Sequence, residues 1–455
     1  MNDASPRRLS FPRVLAFATL SVPIAGVGLP LGVYLAPLYA QEVGLGLEMT
    51  GLLFMLLRFW DIVTDPVMGY LVDRYRTPLG RVRHWIILCV PILGIATYFV
   101  YMPPPGAGAG YFIFWMLIFY VGFTLLQTSR AAWVPAIAQD YDDRSRLFLW
   151  PEIVSVLSML LLLAVPLILE GGGVETDRFG QVAVMGWVLI IALPVSAALS
   201  CFFVPDPPLK GESKLVEKFE FRPMIEAIRS PLFSKVLMME LFVSTAISVT
   251  AANYLFVAIY AFGAVGGQAS LGLVLFFIMA IVALPGWLWL ARKTEKRTAY
   301  FAAVSFSGAA FASFILLAPT GNFTLFLLGS LISGISFSAP LFLARAMTAD
   351  IVEVQAATSG ENRAGIFYAI LTSFNKVGSS LAFGVGYLIV GQVAGFRPGA
   401  ENSDSAIFGL VLVFALLPAA LYIAAGLIAR TYPLTRAVQH ETAMSIEKKI
   451  ETSPN

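Results

Sequence analysis

Within the stretch RFWDIVTDPVMGYLVDRYRTPLGRVRHW, residues 58–85, two carboxylates stand one helical turn apart in apolar sequence. On a helix, Arg58, Asp61, Asp65 and Gly69 share one face through spacings of three and four, and Thr64 lies beside that face. A charged carboxylate at mid-membrane costs about 2.5–3.5 kcal/mol on insertion scales, so two ionised, unpaired acids would cost roughly 5–7 kcal/mol. Such a pair needs a cation, a proton or a basic partner. Sodium fits as a hard cation that prefers oxygen ligands, with Asp61 and Asp65 as its carboxylate donors and the Thr64 hydroxyl beside them. A proton fits because close carboxylates raise one another's pKa and can share it. The third possibility is an Arg58–Asp61 ion pair that merely fixes the helix, but one arginine cannot neutralise both acids.

The surrounding composition makes this pair a membrane feature. Of 455 residues, 58% are hydrophobic and 13% charged, the balance of an integral membrane protein. A spanning helix needs roughly 20 mostly apolar residues. Twelve such runs follow in order, near residues 14–40, 50–73, 84–102, 111–138, 147–170, 181–204, 232–262, 268–291, 299–318, 322–347, 364–395 and 404–430. No tract between them could form a soluble domain, so the expected fold class is all-α and integral to the membrane, with 12 transmembrane helices. A net charge of +2 is then no sign of nucleic-acid binding. There is no GxxxxGKS or GxxxxGKT phosphate loop to use ATP. His84 and His440 form no zinc cluster, so neither a cofactor nor an enzymatic activity is expected. Cys89 and Cys201 fall in or beside spans and imply no disulfide framework.

Lysine and arginine set the orientation, because short cytoplasmic loops retain them. The connections after the second helix (Arg74, Arg76, Arg81, Arg83), the sixth (Lys210, Lys214, Lys218, Arg222, Arg229) and the eighth (Arg292, Lys293, Lys296, Arg297) are basic, whereas the opposite side has Arg178 and Arg397. Both termini are therefore expected in the cytoplasm of a plasma (inner) membrane protein. The basic start around Arg7 and Arg8 precedes an apolar run too long for a signal peptide, which reads as an uncleaved first helix.

The longest basic connection, DPPLKGESKLVEKFEFRP, divides the chain into an N-terminal half (residues 1–204), a central loop (205–231) and a C-terminal half (232–455). Two six-helix halves of this kind resemble the major facilitator transporters. So does the spacing of Gly69, Asp73 and Arg74 before Gly80, Arg81 and Arg83. Gly69 would permit close helix contact, while Asp73 could pair with arginines as a latch for rocking of the halves. The same arginines could equally anchor the loop at an anionic leaflet.

Upstream of that loop the chain is similar to the glycoside, pentoside and hexuronide cation symporters, the melibiose permease-like family. The likeness rests on RFWDIVTDPVMGYLVDRYRTPLGRVRHW, YLAPLYAQEVGL, VPAIAQDYDDRSR, ADIVEVQAATSGENRAGIFYAI and SFNKVGSSLAFGVG, which reach into both halves. It implies a major facilitator fold acting as a single chain in the bilayer, whose partners are a small solute and a coupling cation, Na+ or H+. It also implies that Asp61, Asp65, Thr64 and Thr124 bind that cation. Thr64 stands where the melibiose permease has asparagine, so both ions stay open. Lys376 matches a family lysine near the cation site, and Thr372, Ser379 and Ser380 share its helical face, as in a wet cavity.

The family's sugar-binding positions are replaced. Its first-helix acid becomes Ala25, its fourth-helix acid Gln127, its stacking tryptophan Ala131 and its fifth-helix arginine Glu152. Arg130, and Glu152 beside Trp150, are the new polar candidates, since guanidinium suits carboxylate, sulfonate or phosphate. Arg130 could instead pair with Glu152. Glu240 is deep in the seventh helix, while Lys235 is near its end and expected to snorkel. Asp350 and Glu353 beside Arg345 and Arg363 read as cytoplasmic salt bridges. The leading reading is a cation-coupled symporter of a small polar solute such as a hexuronide or another organic acid. The alternatives are a lysolipid carrier and a transport-inactive sensor.

Overall fold

The computed structural model describes residues 9–75, 77–137, 141–173, 177–206, 221–265, 267–359 and 364–433. Among them the secondary structure is helical except for an isolated bridge between Thr77 and Gly80. Among the described residues, eleven helices are long and apolar enough to cross a membrane: α1 Phe11–Glu42, α3 Arg83–Tyr101, α4 Ala109–Ile137, α5 Arg146–Leu163, α6 Arg178–Phe203, α7 Pro231–Ala261, α8 Gln268–Lys293, α9 Lys296–Thr320, α10 Phe323–Gln355, α11 Ala364–Val393 and α12 Asp404–Arg430. The remaining long helix, α2 (Leu47–Arg74), has 28 residues and is the one that carries Arg58, Asp61 and Asp65. Its length suits a span, and its charges set it apart from the others.

The chain forms two compact units. One comprises residues 1–218, 265–270 and 397–401, and the other residues 219–264, 271–396 and 402–455. In the first, aromatic rings fix α2 relative to α1 and α4. The Phe112 ring lies 4.2 Å from that of Tyr39 and 5.1 Å from that of Phe54, and the Tyr39 hydroxyl donates to Val100 O at 3.0 Å. Gly122 lets α4 close on α3, where a Cβ would come within 3.0 Å of Leu93 N. Within α2, Pro66 has no N–H to give the Ile62 carbonyl, so the backbone ladder is broken beside the acid pair.

The connection between α2 and α3 is held by a residue far along the chain. Asp206, just past α6, accepts from Val82 N at 2.8 Å and Arg83 N at 3.2 Å, which supplies the N-terminal cap that α3 lacks locally. Arg83 Nη2 donates to Val204 O at 2.6 Å, and Trp133 Nε1 to Pro205 O at 3.0 Å. The turn reaches Asp206 through Gly80 at φ +125°, a conformation side chains rarely adopt.

In the second unit, Gly378 brings α11 against α7, where its Cβ would lie 2.7 Å from Leu241 O. The Tyr387 hydroxyl donates to Ala252 O at 3.0 Å across the same pair. Lys296 pairs with both oxygens of Asp350 at 2.6 and 2.7 Å, so Asp350 is bridged to α9 by a lysine other than the expected arginine partners. Lys235 reaches the terminus of α12, donating to Thr431 O at 2.7 Å.

Replacing Asp206 by Ala is expected to cost about 1 kcal/mol, the worth of an N-cap, visible as a lower melting temperature in detergent. Gly80→Ala is expected to cost more, because it adds backbone strain and a clash with the Asp206 carboxylate.

Candidate functional site

Asp61 of α2 and Thr124 of α4 meet inside the first unit. Asp61 is fully buried, and Thr124 Oγ1 donates to its Oδ1 at 2.8 Å. Thr64 is buried on the next turn, and its hydroxyl donates to the Asp61 carbonyl at 3.0 Å. Both threonine hydroxyls thus spend their protons on Asp61 and keep oxygen lone pairs for another partner. Asp65, one turn on, is half-buried. The oxygen set of two carboxylates and two hydroxyls fits a hard monovalent cation, and the adjacent acids equally fit a shared proton.

Arg58 is the basic member of the cluster. Its guanidinium carbon lies 5.9 Å from the centroid of the Tyr120 ring, a cation–π distance, and it interacts electrostatically with Asp61 and Asp65. Tyr120 precedes Thr124 by four residues, so one face of α4 presents a ring to Arg58 and a hydroxyl to Asp61. That spacing was available in the sequence as the signal for Tyr120. Arg58 and the two acids it faces are therefore members of one cluster with Tyr120 and Thr124.

The expected substrate residues do not all converge. Arg130 Nη1 donates to Ser21 Oγ of α1, and Ser21 is fully buried. Glu152 is exposed and within electrostatic range of Arg130. Arg130 thus bridges α1 toward α5. Ser21 stands one turn before Ala25, which is half-buried, as is Gln127, while Ala131 is exposed. Trp150 packs edge-on against Phe11, with ring centroids 5.0 Å apart. The Trp150 ring is thus engaged at the start of α1.

In the second unit, Lys376 is half-buried in α11. Its neighbour Asn375 donates to Glu240 Oε1 at 2.7 Å, so the buried Glu240 of α7 is tied to α11. The expectation of a wet face around Lys376 is corrected at two positions. Ser379 and Ser380 are buried, and their hydroxyls donate to the Lys376 carbonyl at 2.9 and 2.7 Å.

The proposed latch is also redistributed. A Cβ at Gly69 would meet no atom within 4 Å, so close helix contact is not the reason for a glycine there; at Gly80 it would strike the Asp206 carboxylate. Arg74 turns back on α2, with its guanidinium 5.6 Å from the Tyr70 ring centroid and donating to the Tyr70 hydroxyl. Arg83 is held by Val204, and Arg81 is half-buried in the same turn. The side chain of Asp73 lies outside the described residues, as do Arg363 and His440.

Comparison with known proteins gives one consistent result. A family model described as MFS/sugar transport protein matches residues 16–436. The sodium-dependent lysophosphatidylcholine symporter 1-A of Danio rerio is 25% identical over 470 residues, covering 94% of this chain and 86% of that protein. The uncharacterized symporter YjmB of Bacillus subtilis (strain 168) is 23% identical over 433 residues, covering 92% and 91%. A solved structure from work on proton dependent oligopeptide transporters superposes with a TM-score of 0.66 at 13% identity, covering 95% of this chain and 99% of that one. At that identity the likeness is one of fold.

Removing Arg58 while keeping both acids takes away a positive charge that faces them, a loss of up to about 3–5 kcal/mol. Arg58→Met is expected to lower the melting temperature accordingly, and adding Asp65→Asn should restore part of it.

Proposed function

Because the chain belongs to the MFS/sugar transport protein family, we propose that it is a cation-coupled secondary symporter whose coupling ion, Na+ or H+, is held by Asp61 and Asp65. It is a multi-pass membrane transporter and not an enzyme. The observation that carries the coupling role is the hydrogen bond from Thr124 to the fully buried Asp61. A carboxylate placed this deep and positioned from a second helix is costly to keep without a charge to balance. Arg58 interacts electrostatically with both acids, and binding of Na+ or H+ at a carboxylate of the cluster offsets the cost of holding it in apolar surroundings and lowers the barrier to passage between access states. Coupling then follows from the different affinities of cation and solute for those states.

Two solute classes fit. One is a small polar organic anion such as a hexuronide. The other is a lysolipid, supported by the name of the Danio rerio relative and by Ala25 and Ala131, which are apolar where the resemblance implies an acid and a tryptophan. The opposed charges of Arg130 and Glu152 suit the phosphate and amine of a zwitterionic head group. The basic loops put the termini on the cytoplasmic side in this reading.

Proteoliposomes with imposed sodium or proton gradients test the proposal, with lysophosphatidylcholine and glucuronate as solutes. Gradient-driven accumulation of one of them is expected, and it should be abolished in Asp61→Asn and Asp65→Asn at unchanged protein incorporation. Cation dependence that persists in both variants contradicts the assignment. Thr124→Val removes one charge-assisted hydrogen bond and is expected to raise the cation concentration for half-maximal uptake about tenfold or more.

A further inference from the structure

The second unit carries a basic pocket where α9 begins and α12 ends. Gly426 of α12 lets α9 approach, since an added Cβ would lie 3.0 Å from Val304 Cγ2 and 3.2 Å from Phe301 Cδ2. One turn on, the Arg430 guanidinium lies 5.0 Å from the centroid of the Phe301 ring. On α9, Arg297 and Thr298 stand four and three residues before Phe301 and share its face. These four residues line a cavity of about 330 Å3, within the size range of small-molecule sites.

The charge of the pocket follows from its pairs. Arg297 is balanced by Glu295, whose Oε2 accepts from its Nε at 2.5 Å, and its Nη1 donates to Tyr432 O at 3.3 Å. Asp350, on neighbouring α10, is bound by Lys296. Arg430 is exposed and forms no ion pair or hydrogen bond among the described residues. The Phe301 ring offers it no acceptor atom, so its N–H groups stay available to an anion. Lys235, bonded to Thr431 O at 2.7 Å, adds a positive charge that no acid pairs among the described residues. Thr298 contributes an exposed hydroxyl.

The surroundings identify the anion. Helix α12 has 27 residues, about 40 Å at 1.5 Å per residue. That exceeds a hydrocarbon core about 30 Å thick and carries its last residue, Arg430, into the head-group layer. Leu427 and Ile423, three and seven residues back on the same face, are 57% and 54% exposed. They continue the pocket as an apolar stripe, which suits an acyl chain and is of no use to a free anion.

We propose that this pocket binds the head group of an anionic phospholipid, with the phosphate between Arg430 and Thr298 and an acyl chain along Leu427 and Ile423. The Arg430 guanidinium supplies charge-assisted hydrogen bonds to the phosphate. Because Arg430 and Lys235 are not offset by acids, an anionic head group is favoured over a zwitterionic one with the same chains. The site lies in the second unit and depends neither on the Asp61 cluster nor on which solute is carried.

In the full chain purified in detergent, phosphatidylglycerol is expected to raise the melting temperature with a half-maximal concentration about tenfold lower than phosphatidylcholine, the worth of one hydrogen bond to a charged group. Arg430→Gln should erase that difference. Thr298→Trp fills the pocket from an exposed position and should reduce by one the phosphatidylglycerol molecules retained in native mass spectra. Millimolar inorganic phosphate should not displace the lipid. Equal half-maximal concentrations, a preference that survives Arg430→Gln, undiminished retention in Thr298→Trp, or displacement by inorganic phosphate overturns the proposal.

Discussion

Buried charge in apolar surroundings governs the first unit. Two carboxylates and one guanidinium share a face of α2, and the more deeply buried acid is bonded by Thr124 from α4. The cost of a carboxylate in a membrane core makes the arrangement sensitive to whatever cation or proton balances it. A cluster without Arg58 would hold two adjacent negative charges, each disfavouring the other's ionisation.

The remaining structure of that unit fixes this geometry. Phe112 joins Tyr39 and Phe54 and so sets α2 against α1 and α4, while Gly122 sets α4 against α3. Tyr120 provides a ring for Arg58 from the same face of α4 that offers Thr124. Asp206 ties α3 to the end of α6, so α1, α3, α4 and α6 are linked, directly or in series, to the helix that carries the acids. Small shifts of these helices would alter the Thr124–Asp61 distance, and with it the hydrogen bond that positions the buried acid.

Much of this was legible in the sequence, for identifiable reasons. Helical periodicity places Arg58, Asp61 and Asp65 on one face whatever surrounds them. Hydropathy locates the spans, and it singles out α2 because charge, rather than length, distinguishes that helix from the eleven others. Thr124 came from family resemblance, since nothing local links residues so far apart. Tyr120 and Ser21 each lie one turn from a residue already singled out, so their roles were within reach of spacing alone. Gly69 and Gly80 were not distinguishable by sequence: both stand in the same motif, and only the positive φ and the approach of Asp206 show that the second is required. Ser379 and Ser380 looked like cavity residues because hydroxyls in apolar helices suggest water. In the fold they bond the carbonyl one turn back, the commonplace resolution for serine in a helix.

The central claim is that the Asp61–Asp65–Arg58 cluster takes up one monovalent cation. Counting cations bound at equilibrium by the purified chain, sodium by isotope and protons by indicator dye, tests it most directly. The account predicts one saturable cation per chain that disappears in Asp61→Asn. Binding that is unchanged in that variant contradicts it.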